Sequence, residues 1–132
     1  MNTWELMIGD WVLYRKNNTP YKIVGIEPME GLGPREGFTF KLTDSNEVFL
    51  FVRAASVAPV PITSDILEKN GFVWNLECEQ FMLPPYSPDV SYSGAIFYAN
   101  SKYAQLELYE CIYVHQMQQA LRLAGIEKEI VL

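Results

Sequence analysis

The sequence has few of the residues on which most disulfide, metal and catalytic sites depend. Its 132 residues include a single histidine, His115, and only two cysteines, Cys78 and Cys111. Two cysteines do not make a disulfide framework, so we expect reduced thiols and a cytoplasmic protein. The thiols and the imidazole also lack the spacing of a zinc or thiol-protease motif. We therefore expect no metal, no cofactor and no catalytic residue.

Long apolar runs and an excess of positive charge are missing as well. No run approaches the roughly 20 apolar residues of a membrane span, and we see no signal-peptide pattern, so we expect no membrane partner. Ten basic and sixteen acidic side chains give a net charge of −6, of which −1 falls in residues 1–62 and −5 in residues 63–132. This balance disfavours nucleic acid, whose phosphates are bound by Lys and Arg. A basic protein partner would suit residues 63–132 better.

The first part of the chain is dominated by short segments with the composition of β-strands. These are "DWVLYR", "YKIVGIE", "FTFKLTD" and "EVFLFV", followed by "SVAPVPI" as a proline-containing edge strand. Alternation in "YKIVGIE" places Tyr21, Ile23 and Gly25 on one face. The segments predict a small antiparallel β-sheet or an SH3-like barrel in residues 1–61, interrupted by a glycine-rich loop, "PMEGLGPREG".

The remainder mixes helical and strand patterns. In "PITSDILEKNGF", Thr63 or Ser64 can cap a helix that Gly71 ends. "FVWNLECEQFML" has a strand pattern, "PPYSPD" is too rich in proline for regular structure, and "VSYSGAIFYA" with "YAQLELY" predicts a hairpin. With a C-terminal helix, these segments predict an α+β fold in residues 62–132. This part is either a second domain or one compact unit with residues 1–61.

The segment "CIYVHQMQQALRLAGI" predicts that last helix. At about 100° per residue its apolar side chains form a stripe around Met117, and Gly125 with Ile126 supplies a helix stop. His115 falls about 160° from Met117, on the polar side of the helix. The polar side is a candidate interaction surface made of His115, Gln118, Gln119 and Arg122.

Three further features allow both a functional and a structural interpretation. Glu77 and Glu79 share a face of their predicted strand, which fits paired acid–base catalysts but fits a solvated surface better. Trp11 suits a core or barrel-rim position better than a ligand-stacking one. An enzyme using Cys78, Cys111 or His115 is the weakest hypothesis, because catalytic partners must meet within hydrogen-bonding distance.

Several segments resemble those of a known protein group. "WELMIGDWVLY" resembles the opening "ELRIGNWV" of small uncharacterised proteins from gut Bacteroidetes and their phages or mobile elements. "TPYKIVGIE" is similar to the second strand of that group, "VAPVPITSDILEKNGF" to its central segment, and "IYVHQMQQALRLAG" to its ending "YVHQLQNLYFALTG". The matches cover about half of the chain in the right order. The resemblance implies a β-rich part, an α+β part and residence on mobile DNA. It implies no enzyme activity, and no catalytic residues can be carried over from it.

Two functional hypotheses follow from different classes. The first is a non-enzymatic protein-interaction or accessory protein of a phage or mobile element, with a protein partner still to be identified. The alternative is a nucleic-acid-associated accessory factor that uses the β-rich part, with Arg15, Lys16, Lys22 and Arg53 as its basic residues.

Overall fold

The computed structural model divides the chain into two compact units, Met1–Val60 and Pro61–Leu132. Among the described residues, each unit holds one five-stranded antiparallel sheet, and the second unit adds two α-helices. The predicted α+β fold is therefore confirmed. Most of the predicted loops "PMEGLGPREG" and "PPYSPD" lie outside the described part of the chain. The structure describes residues 6–28, 38–44, 46, 48–84, 89–102 and 104–132.

The first sheet is a meander whose fifth strand returns to the first. A 3-10 turn at Ala54–Ser56 connects the fourth strand to the fifth. The strand order is β4-β3-β2-β1-β5, so β5 lies at an edge, as its prolines predict. The strands are β1 (Trp11–Tyr14), β2 (Thr19–Pro28), β3 (Phe38–Thr43), β4 (Phe49–Arg53) and β5 (Val57–Pro59).

Strand β2 contains a bulge that simple alternation does not predict. Its pairing with β3 shifts between Ile23 and Gly25, which leaves Val24 as an extra residue. After the shift Ile26 packs on the core, whereas Gly25 pairs with Lys41 on the other face. The prediction that Gly25 shares the inner face with Ile23 is wrong, because a bulge reverses the alternation along a strand.

The inner face of the first sheet forms the hydrophobic core of its unit. Phe40 and Leu42 lie inward as the alternation of "FTFKLTD" predicts. Lys41, between them, points to the opposite, outer face of the sheet. The buried cluster consists of Leu6, Val12, Tyr21, Ile23, Phe40, Leu42, Val52 and Val57.

The second unit begins with helix α1 (Ser64–Lys69), whose two ends are set by local sequence. The Thr63 hydroxyl accepts a hydrogen bond from the Ile66 N–H at 3.2 Å, which caps the first turn. Gly71 has a φ of 89°, and the Phe72 N–H donates to the Leu67 carbonyl at 3.0 Å. This pattern is a Schellman stop, so both predicted ends of the helix are confirmed.

The second sheet has more turns than its sequence predicts. Its order is β10-β9-β8-β7-β6. The segment "FVWNLECEQFML" forms a hairpin instead of one strand, because the Asn75 side chain accepts the N–H groups of Glu77 and Cys78 and bends the chain. A second turn at Gly94 and Ala95 splits "VSYSGAIFYA". The strands are β6 (Val73–Asn75), β7 (Gln80–Met82), β8 (Val90–Ser93), β9 (Ile96–Asn100) and β10 (Gln105–Leu108).

Helix α2 (Val114–Leu123) follows the second sheet and ends as predicted. Gly125 has a φ of 73°, and the Ile126 N–H donates to the Leu121 carbonyl at 2.9 Å. Ile126 is buried, which supplies the apolar contact of the Schellman stop. Within the described residues, neither helix is long and apolar enough to cross a membrane.

Candidate functional site

The polar side of α2 is largely buried, unlike the open surface that the helical wheel predicts. His115 is 1% exposed and Gln118 is 5% exposed, while Gln119 is half-buried and Arg122 is exposed. The exposed placement predicted for His115 and Gln118 is wrong. A stripe drawn through apolar residues alone underestimates the buried arc of a short helix, since polar side chains can be buried beside it. An interaction role for Gln119 and Arg122 stays a prediction.

His115 is surrounded by protein instead of solvent. Its ring lies parallel to that of Tyr113, with centroids 5.8 Å apart and an interplanar angle of 11°. Both imidazole nitrogens are buried. The contact places the imidazole ring beside Tyr113 at the start of α2.

The cysteines do not form a reactive pair with each other. Cys111 is buried, and desolvation raises the pKa of its thiol to about 12. A thiol with such a pKa is neutral at physiological pH and is a poor nucleophile. Cys78 lies exposed in the turn between β6 and β7. Among the described residues, no group of three or more His, Cys, Asp or Glu side chains is placed to hold a metal ion.

The two acids weighed as an acid–base pair also lie in that turn. Glu77 and Glu79 fall between β6 and β7, so the predicted strand face that they share does not exist. Both are exposed, and Glu79 has a φ of 54°. Their position in a solvated turn agrees with the structural interpretation of the two residues.

The outer face of the first sheet carries aromatic rings next to basic side chains. Directly paired residues of antiparallel strands point to the same face. Lys22 pairs with Trp11, and Lys41 pairs with Phe51. Phe49 is two positions before Phe51 on β4, so it points to the same face. We call this surface the aromatic–basic face, consisting of Trp11, Lys22, Lys41, Phe49 and Phe51.

Each ammonium group of the aromatic–basic face lies over a ring. The Lys41 Nζ is 4.5 Å from the Phe49 ring centroid and 5.8 Å from that of Phe51. The Lys22 Nζ is 5.6 Å from the Trp11 ring centroid. Such contacts are worth about 0.5–1 kcal/mol at exposed sites. They hold the lysine side chains close to the sheet and leave much of the two phenylalanines open, at 52% and 69% exposure.

The local charge of the aromatic–basic face differs from that of the whole chain. Residues 1–60 carry six basic and seven acidic side chains, a net charge of −1. One of these acids, Asp10, is fully buried, and its carboxylate accepts the Met7 N–H at 2.8 Å. Lys22 and Lys41 give the face itself a positive local charge, within a unit whose net charge is −1.

Sequence reasoning recognised only part of this surface. It named Trp11 and Lys22 without placing them together, and it did not single out Lys41, Phe49 or Phe51. The available signal was "VFLFV", where apolar residues occupy both faces of one strand. A strand with two apolar faces on a sheet with one core leaves aromatic side chains exposed.

Comparison of the chain with protein-family models, with curated proteins and with solved structures finds no match. The resemblance to the Bacteroidetes group therefore stays an expectation from short segments. The candidate site rests on the geometry of this chain alone.

Proposed function

We propose that the chain is a non-enzymatic interaction protein and that the aromatic–basic face is its contact surface. One observation carries the proposal: Phe49 and Phe51 lie side by side on an open sheet face, 52% and 69% exposed. Aromatic side chains are enriched at the centres of protein interfaces. An exposed pair of this kind, bordered by polar residues, is typical of a binding surface.

The energetics favour a partner that covers both rings. Full burial of a phenylalanine contributes about 1.5–3 kcal/mol, so covering the exposed parts of Phe49 and Phe51 contributes roughly 1–2 kcal/mol for each ring. Lys22 and Lys41 add electrostatic selection for an acidic partner segment. The surface therefore suits an apolar segment flanked by Asp or Glu.

The topology of the first sheet supports the proposal of an SH3-like barrel. Strand β5 follows a 3-10 turn and pairs antiparallel with β1, as Val12 with Pro59 and Tyr14 with Val57. Such a return to the first strand is the step that starts to curl a meander into a barrel. Small barrels of this kind serve many unrelated functions, so the binding proposal rests on the exposed rings.

The setting that we propose is a phage or mobile element whose product acts in the cytoplasm. Its support is the ordered set of segments that resemble the Bacteroidetes group. Both Cys78 and Cys111 are free thiols, which fits a reducing compartment.

The direct test is affinity capture from the native host under mild salt. The full chain should recover a specific protein, and the double variant Phe49→Ser, Phe51→Ser should lose most of it. Leu123→Ser is the matched control, because Leu123 is 72% exposed on α2, in the other unit. Equal recovery of the host protein by the wild type, the double variant and Leu123→Ser would contradict the proposal that this face is the contact surface. A bare monomer that shows turnover in an activity screen would contradict the interaction function.

A second candidate function is binding of single-stranded nucleic acid by the same face. The specific observation is the alternation of rings with ammonium groups, since bases stack on aromatic side chains while cations contact phosphates. Binding of a labelled oligothymidine should then appear at low salt and weaken steeply as salt rises. Lys41→Gln should reduce the salt dependence, whereas Lys102→Gln in the second unit should not. No binding at low salt would exclude this candidate.

A further inference from the structure

The outer face of the second sheet contains a shallow hollow of about 480 Å³. Its volume lies within the roughly 300–1,000 Å³ of ordinary ligand sites. Strands β7 to β10 supply its lining, which combines polar groups with the apolar surface of Ile96 and Tyr98. The lining residues are Gln80, Ser91, Ser93, Ile96, Tyr98 and Glu107.

One carboxylate, that of Glu107, belongs to this hollow. Ser91, Tyr98 and Glu107 are directly opposite one another across β8, β9 and β10. Opposite side chains on one face have Cβ atoms about 4.5–5.5 Å apart, so Glu107 and Tyr98 are neighbours on that face. Tyr109 donates its hydroxyl to the Glu107 carboxylate, and this hydrogen bond raises the pKa of Tyr109. The hydrogen bond and the register with β9 together position Glu107 at the hollow.

The charge around the hollow favours a cation. Glu107 is the one charged residue among the six that line it. The surrounding unit, Pro61–Leu132, carries nine acidic and four basic side chains, a net charge of −5. A carboxylate beside an aromatic ring attracts an ammonium or guanidinium group through both a charge-assisted hydrogen bond and a cation–π contact.

We propose that this hollow binds an arginine side chain of a partner protein, with the guanidinium between Glu107 and the ring of Tyr98. A planar guanidinium can pair with a carboxylate through two hydrogen bonds and stack on a ring, which a lysine ammonium cannot do. The hydroxyls of Ser91 and Ser93 can accept further N–H groups. The site goes beyond the proposed function, because it lies in the other unit and does not depend on the aromatic–basic face.

Titration of the full chain with N-acetyl-arginine amide, followed by amide NMR, tests the proposal. Saturable shifts should concentrate at Ser91, Tyr98 and Glu107. N-acetyl-citrulline amide is the matched probe, since it has nearly the same shape without the charge, and it should give no such shifts. A peptide with one central arginine should bind more tightly than the amide, and spermidine should bind more weakly than the peptide. Tighter binding of spermidine would assign the site to a free polyamine and overturn the proposal.

Substitutions distinguish specific binding at this hollow from general attraction of a cation to an acidic protein. Glu107→Gln should weaken arginine-amide binding about twofold to fivefold, as expected for the loss of an exposed ion pair while the ring contact remains. Glu127→Gln removes the same charge at another exposed position of the unit and should leave binding unchanged. Tyr98→Leu should weaken binding while Glu107 is kept. Equal binding by Glu107→Gln, or shifts spread over all acidic residues, would overturn the assignment. The double variant Phe49→Ser, Phe51→Ser should bind the arginine amide as the wild type does, even where it no longer captures the partner protein. The two proposals can therefore fail independently.

Discussion

At the residue scale, several backbone positions adopt the left-handed conformation without being glycine. They are Asn18, Glu79, Ala95 and Glu110, with φ between 51° and 66°. Asparagine tolerates this region, whereas other L-residues pay about 1–2 kcal/mol for it. The turns of the second sheet therefore contain local strain that substitution can relieve.

Replacing Glu79 by glycine should stabilise the protein. Glu79 is exposed with a φ of 54°, so Glu79→Gly relieves strain without removing core packing. Because glycine also adds freedom to the unfolded chain, the net gain should be about 0.5–1 kcal/mol in the free energy of unfolding. Urea denaturation measures it. Glu77→Gly in the same turn removes an equal charge without relieving a positive φ, and it should give no gain. Equal effects of the two substitutions would contradict the strain argument.

The Cys111 thiol should make the stability of the protein depend on alkaline pH. Burial raises its pKa from 9.0 to about 12, so between these values the unfolded chain ionises while the folded chain stays protonated. Its stabilising contribution is complete below about pH 9 and is lost as pH rises towards 12.

Urea denaturation at about pH 7 and about pH 10 measures this dependence on either side of the ordinary thiol pKa. The wild type should lose more stability between these pH values than Cys111→Ala, which lacks the ionising group. Any packing effect of the smaller side chain is present at both pH values and cancels in the difference. Identical losses in the two proteins would show that the thiol is not desolvated.

At the element scale, Asn70 ties the end of α1 to the C-terminal segment. Its side-chain amide donates to the carbonyls of Ile66 and Val131, both at 2.8 Å, and its oxygen accepts the Val131 N–H at 2.7 Å. Asn70 is 2% exposed. One buried side chain thus satisfies backbone groups of two segments that are far apart in the sequence.

Replacing Asn70 by alanine should destabilise the protein by about 2–4 kcal/mol, because it removes three hydrogen bonds and leaves buried backbone groups to be satisfied in other ways. The midpoint of urea denaturation measures the loss. Asn46→Ala, at an exposed turn position, is the matched control and should change stability by less than about 0.5 kcal/mol. Amide exchange should become faster at Val131 in Asn70→Ala. A small loss with unchanged exchange would contradict the role of Asn70.

Helix ends were the elements that sequence predicted best. Thr63, Gly71 and Gly125 have the predicted roles because capping depends on residues within one turn. The second sheet was less predictable, since the turn that begins at Asn75 follows from one side-chain amide inside an otherwise strand-like segment. The bulge at Val24 likewise depends on pairing with β3, which alternation within β2 does not contain.

At the scale of the whole molecule, the candidate surfaces depend on which strands become neighbours. Phe51 and Lys41 are ten positions apart in the sequence and meet only through the pairing of β3 with β4. Tyr98 and Glu107 likewise meet through β9 and β10. Sequence reasoning found the strands of the first sheet but not these pairs, because register is a property of two strands. It also misplaced His115, whose burial depends on how α2 packs.

Each unit should retain its fold when expressed alone, because each has its own sheet and buried side chains. Fragments 1–60 and 61–132 should both give dispersed amide NMR spectra, with cooperative but weaker urea denaturation than the full chain, since domains of this size bury only about 60% of their surface. Fragment 61–132 carrying Asn70→Ala is the control, and its amide NMR spectrum should lose dispersion at a lower urea concentration than that of the unmodified fragment. Collapsed spectra for both unmodified fragments would mean that residues 1–60 and 61–132 form one cooperative unit, and that a partner binding either sheet stabilises both.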